Sequence, residues 1–237
     1  MKILVIIPCY NERESVVNVV RNLEKNCPRA DYIIINDCSS DDTKDILKAH
    51  QLNFLDLPMN LGIGGGVQAG YKYALQNDYD IAIQIDGDGQ HDTAYLEDLV
   101  RPIEEGTADI VFGSRFLTKE GFQSTGLRRF GIGFLSGLIR LCCGAKVKDV
   151  TSGYRAVNRE YIKIYSQDYP TDYPEPEALV KATCCGARVL EVPVIMKERE
   201  EGTSSINAWR SVYYMIKVSL SIILCRLSNS KKRRTKS

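Results

Sequence analysis

The chain has 237 residues, is 44% hydrophobic and 26% charged, and carries a formal net charge of +1. These are ordinary values for a folded soluble protein of one large domain or two small ones. The near-neutral balance gives no global field directed at nucleic acid, and none of the eight cysteines shows the C-x-x-C spacing of a zinc site.

The opening "MKILVIIPCYNE" has too short an apolar run for a signal peptide and reads as a first strand. "NERESVVNVVRNLEKN" follows as a helix, with Asn11 as its cap and Glu14 completing a capping box. "DYIIIND" is a second strand, and Ser39 or Ser40 caps the helix in "SSDDTKDILKAHQ". "NFLDLP" precedes the helix "GIGGGVQAGYKYALQN", and "DIAIQID" precedes "TAYLEDLVRPIEEG". "ADIVFGS" closes the series. Near-continuous apolar strands alternating with helices predict an α/β fold, a mainly parallel sheet with helices on both faces.

Further on, Leu127, Phe130, Phe134, Leu138 and Leu141 recur at helical spacing, as expected of a stripe resting on the core. "DVTSGYRAVNREYI" reads as a turn and another helix. "YPEPEALVKATCCG" leads into "RVLEVPVIMKERE", an edge-strand pattern. The adjacent cysteine pairs Cys142–Cys143 and Cys184–Cys185 read as reduced thiols of a cytosolic protein.

In open α/β sheets, ligands sit beyond the carboxyl ends of the strands. "PCYNE", "NDCSSDD" and "DGDGQ" fall there, after the first, second and fourth strands. Asp86 and Asp88 lie one glycine apart, and carboxylates this close repel unless a cation or a shared proton lies between them. Three readings follow: a divalent-cation site extended by Gln90 and His91, an acid/base pair, or a solvated turn. Hard oxygen ligands suit Mg²⁺ or Mn²⁺. The glycines Gly62, Gly64, Gly65 and Gly66 lack both the Walker order and the dinucleotide order; they let a helix start pass close to a ligand or the sheet.

The motifs "IPCYNE", "NDCSSDDT", "NLGIGGGVQAG", "DGDGQHD", "GSRF", "DVTSGYRAV" and "EVPV…R…G" occur in the order found in family 2 glycosyltransferases, across roughly residues 3–205. The chain most resembles the dolichol-phosphate mannose synthase and polyprenyl-phosphate glycosyltransferase group. That resemblance implies a GT-A fold, a UDP- or GDP-linked sugar donor, Mg²⁺ or Mn²⁺, inversion at the anomeric carbon, and a polyprenyl-phosphate or lipid-linked acceptor. A sugar hydroxyl of a growing polysaccharide is the alternative acceptor. It implies that Pro8, Tyr10, Asn11 and Glu12 line the nucleotide pocket and that Asp37 binds base or ribose. Asp86, Asp88 and Gln90 would hold the metal. Arg115 and Arg129 would grip an acceptor phosphate, and Lys181 and Arg199 would face the donor phosphates. Were the acceptor a hydroxyl, Glu175, Glu177 or Asp149 would be the base. The chain departs from the family at Gly133 and at Gly202-Thr203-Ser204-Ser205.

From Val212 to Leu227 is 16 residues, about 24 Å as a helix against a hydrocarbon core of about 30 Å. This segment therefore reads as an amphipathic helix lying in an interface or packed on the domain. The tail "KKRRTKS" has five basic residues in seven, each worth about 1 kcal/mol near anionic lipid. The expected organisation is a catalytic domain over 1–207, a helix over 208–228 and a basic tail over 229–237. The protein would sit at the inner membrane face, as a homo-oligomer or with a membrane partner protein as open possibilities.

Overall fold

The computed structural model describes residues 1–118, 120, 126–172, 174–197, 215–224 and 226–227. Seven strands form one sheet: β1 (Ile3–Cys9), β2 (Ala30–Asn36), β3 (Phe54–Asp56), β4 (Ile81–Gln84), β5 (Ile110–Ser114), β6 (Arg155–Asn158) and β7 (Val189–Pro193). Their order is β3-β2-β1-β4-β6-β5-β7. Only β6 runs against its neighbours, pairing antiparallel with β4 and β5. The other pairs are parallel.

The helices are α1 (Val16–Asn26), α2 (Thr43–Ala49), α3 (Gly62–Gln76), α4 (Leu96–Glu104), α5 (Gly126–Cys143), α6 (Arg159–Gln167) and α7 (Pro174–Cys184). They cover the sheet on both sides, which is why all seven residues of β1 are buried. Alternate strand residues feed two cores. On one face Leu4, Ile6, Ala82 and Phe112 meet α3, α5, α6 and α7. On the other, Ile3, Val5, Ile7 and Ile83 meet α1 and α4. Residues 215–224 are helical, and Val218 and Ile222 are buried in the first of these cores.

Three sequence expectations change here. β6 lies inside "DVTSGYRAVNREYI", which was read as turn and helix; it is the strand that inserts between β4 and β5. Neither helix cap is where the sequence put it. α1 starts after Ser15 and α2 after Asp42, neither with a side-chain cap bond. Asn11 adopts φ 58° instead and takes the backbone N–H groups of Ser40 (2.8 Å) and Asp41 (3.3 Å), tying the β1 loop to the β2 loop. Finally, most of the apolar stripe on α5 does not rest on the core, although Leu138 packs against it. Phe130 is 76%, Phe134 53% and Leu141 84% exposed, while Ile132, Leu135 and Ile139 supply the buried face. The side chain of Leu127 lies outside the described residues.

Candidate active site at the carboxyl ends of β1, β2 and β4

The three polar loops converge as the topology requires, because β2, β1 and β4 are consecutive parallel neighbours. Ser15 donates to the Gly87 carbonyl at 2.7 Å and to a Glu12 carboxylate oxygen at 3.1 Å. A Cβ at Gly87 would lie 3.1 Å from the Pro8 carbonyl oxygen and 3.6 Å from Glu12 Cγ. Glycine there lets the aspartate loop lie flat against the end of β1. Pro8 is buried within β1, whereas Tyr10 is 48% exposed beside it. Burial, followed by the Glu12 charge, pushes the Cys9 thiol up to about 12, so that cysteine is no nucleophile near neutral pH.

Asp37 is buried, and its backbone N–H donates to the Cys9 carbonyl at 2.9 Å. Its carboxylate accepts the Leu61 N–H at 2.7 Å, and its carbonyl accepts from the Asn60 side chain at 3.1 Å. Asp37 thus holds the entry to α3, a role the sequence reading did not give it.

Asp86 follows β4 by two residues. Its backbone N–H donates to His91 Nδ1 at 3.0 Å, so the proton of the neutral imidazole sits on Nε2, 3.8 Å from Asp86 Oδ2. The buried His91 ring stacks on Tyr154 at 4.9 Å between centroids. His91 is therefore an orienting group for Asp86, with Nδ1 already engaged. Asp88 accepts the Gln90 N–H at 3.0 Å, and the Gln90 carbonyl accepts the Lys197 N–H at 3.0 Å. A Cβ at Gly153 would stand 3.3 Å from both Asp86 carboxylate oxygens, so the turn before β6 abuts the same carboxylate. Among the described residues, no group of three or more His, Cys, Asp or Glu side chains is arranged to hold a metal ion. Two carboxylates and one amide are hard-oxygen donors of the kind that Mg²⁺ or Mn²⁺ takes, sharing the remaining positions with ligand oxygens.

The two arginines meet over one ring. Arg115 lies 5.4 Å and Arg129 5.9 Å from the centroid of Phe116. They differ in kind. Arg115 is buried in a forked pair with the fully buried Asp149, at 2.7 Å through each of Nε and Nη2. Arg129 is exposed on α5. The pairing occupies Asp149, which leaves Glu175 and Glu177, both half-buried in the first turn of α7, as the accessible carboxylates. Lys181 bonds the carbonyl and the carboxylate of Asp168 at the end of α6. Arg199 and Gly202-Thr203-Ser204-Ser205 lie outside the described residues.

Residues 4–165 match the model of the family described as Glycosyl transferase family 2. The chain belongs to that family. This glycosyltransferase is similar to an undecaprenyl-phosphate mannosyltransferase of Micrococcus luteus, 29% identical over 87% of this chain and 88% of that one. It is also similar to a UDP-N-acetylglucosamine–dolichyl-phosphate N-acetylglucosaminyltransferase of Methanococcus voltae, 28% identical over 94% and 98%. Its fold matches a glucosyl-3-phosphoglycerate synthase of Mycobacterium tuberculosis solved with Mn²⁺, uridine diphosphate and phosphoglyceric acid. The TM-score is 0.69 at 18% identity, covering 96% of this chain and 78% of that one. The glycosyltransferase thus has the GT-A architecture expected from its motifs.

Proposed function

We propose that this family 2 glycosyltransferase moves a sugar, with inversion, from a nucleotide-sugar to a polyprenyl-phosphate acceptor. The observation that carries the acceptor half is the place of Arg129. It stands on a helix whose outward residues include Phe130 and Phe134, beside the ring it shares with Arg115. A phosphate acceptor is already anionic, so it needs a guanidinium to hold it rather than a base to deprotonate it. The names of both relatives, each covering nearly all of its own length, point the same way.

For the donor, Tyr10, Asn11, Glu12 and Asp37 would receive the nucleoside beside Pro8. Asp86, Asp88 and Gln90 would hold Mg²⁺ or Mn²⁺, which as a Lewis acid stabilises charge on the departing diphosphate. His91 and the Gly153 turn keep Asp86 aimed at that position. Glu177 and Glu175 stand at the start of α7 to receive sugar hydroxyls, and Lys181 and Arg199 complete the donor side. A buried, forked Arg115 fixes the floor under the acceptor phosphate, and Arg129 is the cation that meets it.

The reading places residues 1–207 as the catalytic unit, at the inner membrane face. No helix among the described residues is long and apolar enough to cross a membrane. Among the described residues, eight of the sixteen exposed large hydrophobics lie on α5 or on residues 215–224 and 226–227. The two helices touch, since a Cβ at Gly131 would lie 3.2 Å from Met215 Sδ. Arg129 and Arg140 line the exposed face of α5, which carries no acidic residue. Such a face suits an anionic lipid surface in which the helix lies in the plane.

The donor half is tested by calorimetry of UDP and GDP with Mn²⁺. Asp86→Ala and Asp88→Ala should each abolish metal-dependent binding of the diphosphate that the wild type binds, without lowering the melting temperature. Unchanged affinity in either variant would contradict the metal-site reading.

A further inference from the structure

The least expected group near the site is a buried cation. Arg155 opens β6 and is 0% exposed. Its register partner across the sheet is Gln84, two residues before Asp86. Arg155 Nη2 donates to the Ser152 carbonyl at 3.5 Å and lies 4.0 Å from Glu175 Oε1. Arg155 Nε and Nη1, both amide atoms of Gln84, and Ser152 Oγ find no hydrogen-bond partner among the described residues. The Phe112 ring lies 5.3 Å from the guanidinium carbon. Burial works against this charge, but Tyr169, Glu175, Tyr71 and Tyr165 together offset it, and the guanidinium holds its proton more firmly than usual.

An orphaned buried polar atom costs about 1–3 kcal/mol, and a buried charge needs a partner. A sheet interior made only for stability would place an apolar residue at Arg155, as at its strand neighbours Ala156 and Val157. Departures from local rules that persist tend to lie at functional sites. Here the two contacts of the guanidinium reach the two sides of the candidate donor pocket. The Ser152 carbonyl leads directly into Gly153, which abuts both oxygens of Asp86. Glu175 stands in the first turn of α7.

We infer that Arg155 is a positioning residue for the donor pocket, a buried strut that sets the Asp86 carboxylate and the start of α7 at a fixed separation. It acts through the Ser152–Gly153 turn on one side and through Glu175 on the other. The inference rests on the reading of Asp86 as a donor-site residue.

The test uses the full-length chain in four variants: Arg155→Lys, Arg155→Met, Glu175→Gln and Arg155→Met with Glu175→Gln. Affinity for UDP–Mn²⁺ and GDP–Mn²⁺ is measured by calorimetry, and melting temperature beside it. Arg155→Met should weaken the diphosphate bound by the wild type by about tenfold or more. Arg155→Lys, which keeps the charge but not the planar guanidinium, should keep most of the melting temperature and still lose affinity several-fold. The double variant asks whether Arg155 and Glu175 act on the donor pocket together. Its affinity should stay as low as that of Arg155→Met alone, because one strut has been removed, not two.

Wild-type affinity in any folded Arg155 variant overturns the inference, because the residue would then serve stability alone. Strict additivity of the Arg155 and Glu175 effects on affinity also overturns it. Should Arg155→Met not fold, Arg155→Lys and the double variant decide by the same criteria. A wild type that binds neither diphosphate overturns the donor reading itself, and the inference with it.

Discussion

Arg115 and Arg129 look equivalent as letters, yet the structure gives them different work. Arg115 neutralises Asp149 in a buried fork, and Asp149 and Lys148 are in turn held by the Glu191 carboxylate through their backbone N–H groups at 2.9 Å. Removing one partner of a buried pair strands the other charge at a cost of about 3–5 kcal/mol. Arg115→Ala should therefore lower the melting temperature sharply, whatever it does to transfer. Arg129→Ala, at an exposed position, should leave melting within the small range of surface substitutions, about ±0.5 kcal/mol. Thermal unfolding of the two variants side by side checks this; equal melting temperatures would refute the division of roles. The family resemblance could mark both as arginines for an acceptor phosphate. It could not show that "DVTSGYR" delivers an aspartate to one of them, because that contact spans 34 residues.

At the scale of elements, long apolar periodic segments were legible and short mixed ones were not. β1 and β2 run seven residues each and are apolar nearly throughout. β6 is only Arg-Ala-Val-Asn, with a charge at one end and a helix-capping Asn158 at the other. Its strand character comes from two flanking partners rather than from its own pattern. Most of the α5 stripe failed for the opposite reason: helical spacing shows that a face exists but not which way it points. The seam beyond β6 is closed by Asp109. It accepts from Arg188 Nε (3.0 Å) and Nη2 (2.6 Å), from the Arg188 N–H (2.8 Å) and from Asn158 (3.1 Å). The Arg188 fork holds the Asp109 carboxyl below the usual carboxylate range. A depressed folded-state value contributes stability above the unfolded value, lost as pH falls through the folded one. Asp109→Asn should accordingly lower stability at pH 7, by an amount reduced by the solvent screening of the exposed Arg188. The gap from wild type should narrow below about pH 4, where the unfolded carboxylate takes up its proton. Urea unfolding at pH 7 and pH 3 measures both, and a pH-independent gap would contradict the pairing.

For the molecule as a whole, the sequence foretold that the three polar loops share one sheet edge because topology does that work. Parallel neighbours β2, β1 and β4 bring their carboxyl ends to one edge, and the loops quoted from the sequence are those ends. What remained hidden were three placements in the far half of the chain: the Gly153 turn against Asp86, the Asp149 beneath Arg115, and the burial of Arg155. The C-terminal helical residues are also more than an appendage, since Val218 and Ile222 complete the core that α5 covers. A deletion there would open that core, so a point substitution isolates the acceptor question more cleanly. The most direct measurement is sugar transfer from a panel of UDP- and GDP-linked donors, with Mn²⁺, to undecaprenyl phosphate in anionic vesicles, for wild type and Arg129→Ala. The wild type should glycosylate the lipid phosphate, and Arg129→Ala should lose that transfer by about 10²-fold, the 2–3 kcal/mol of a charge-assisted phosphate contact, while still hydrolysing the donor. Efficient transfer by the wild type to a soluble saccharide but not to the lipid phosphate, or full transfer to lipid by Arg129→Ala, would contradict the proposed acceptor.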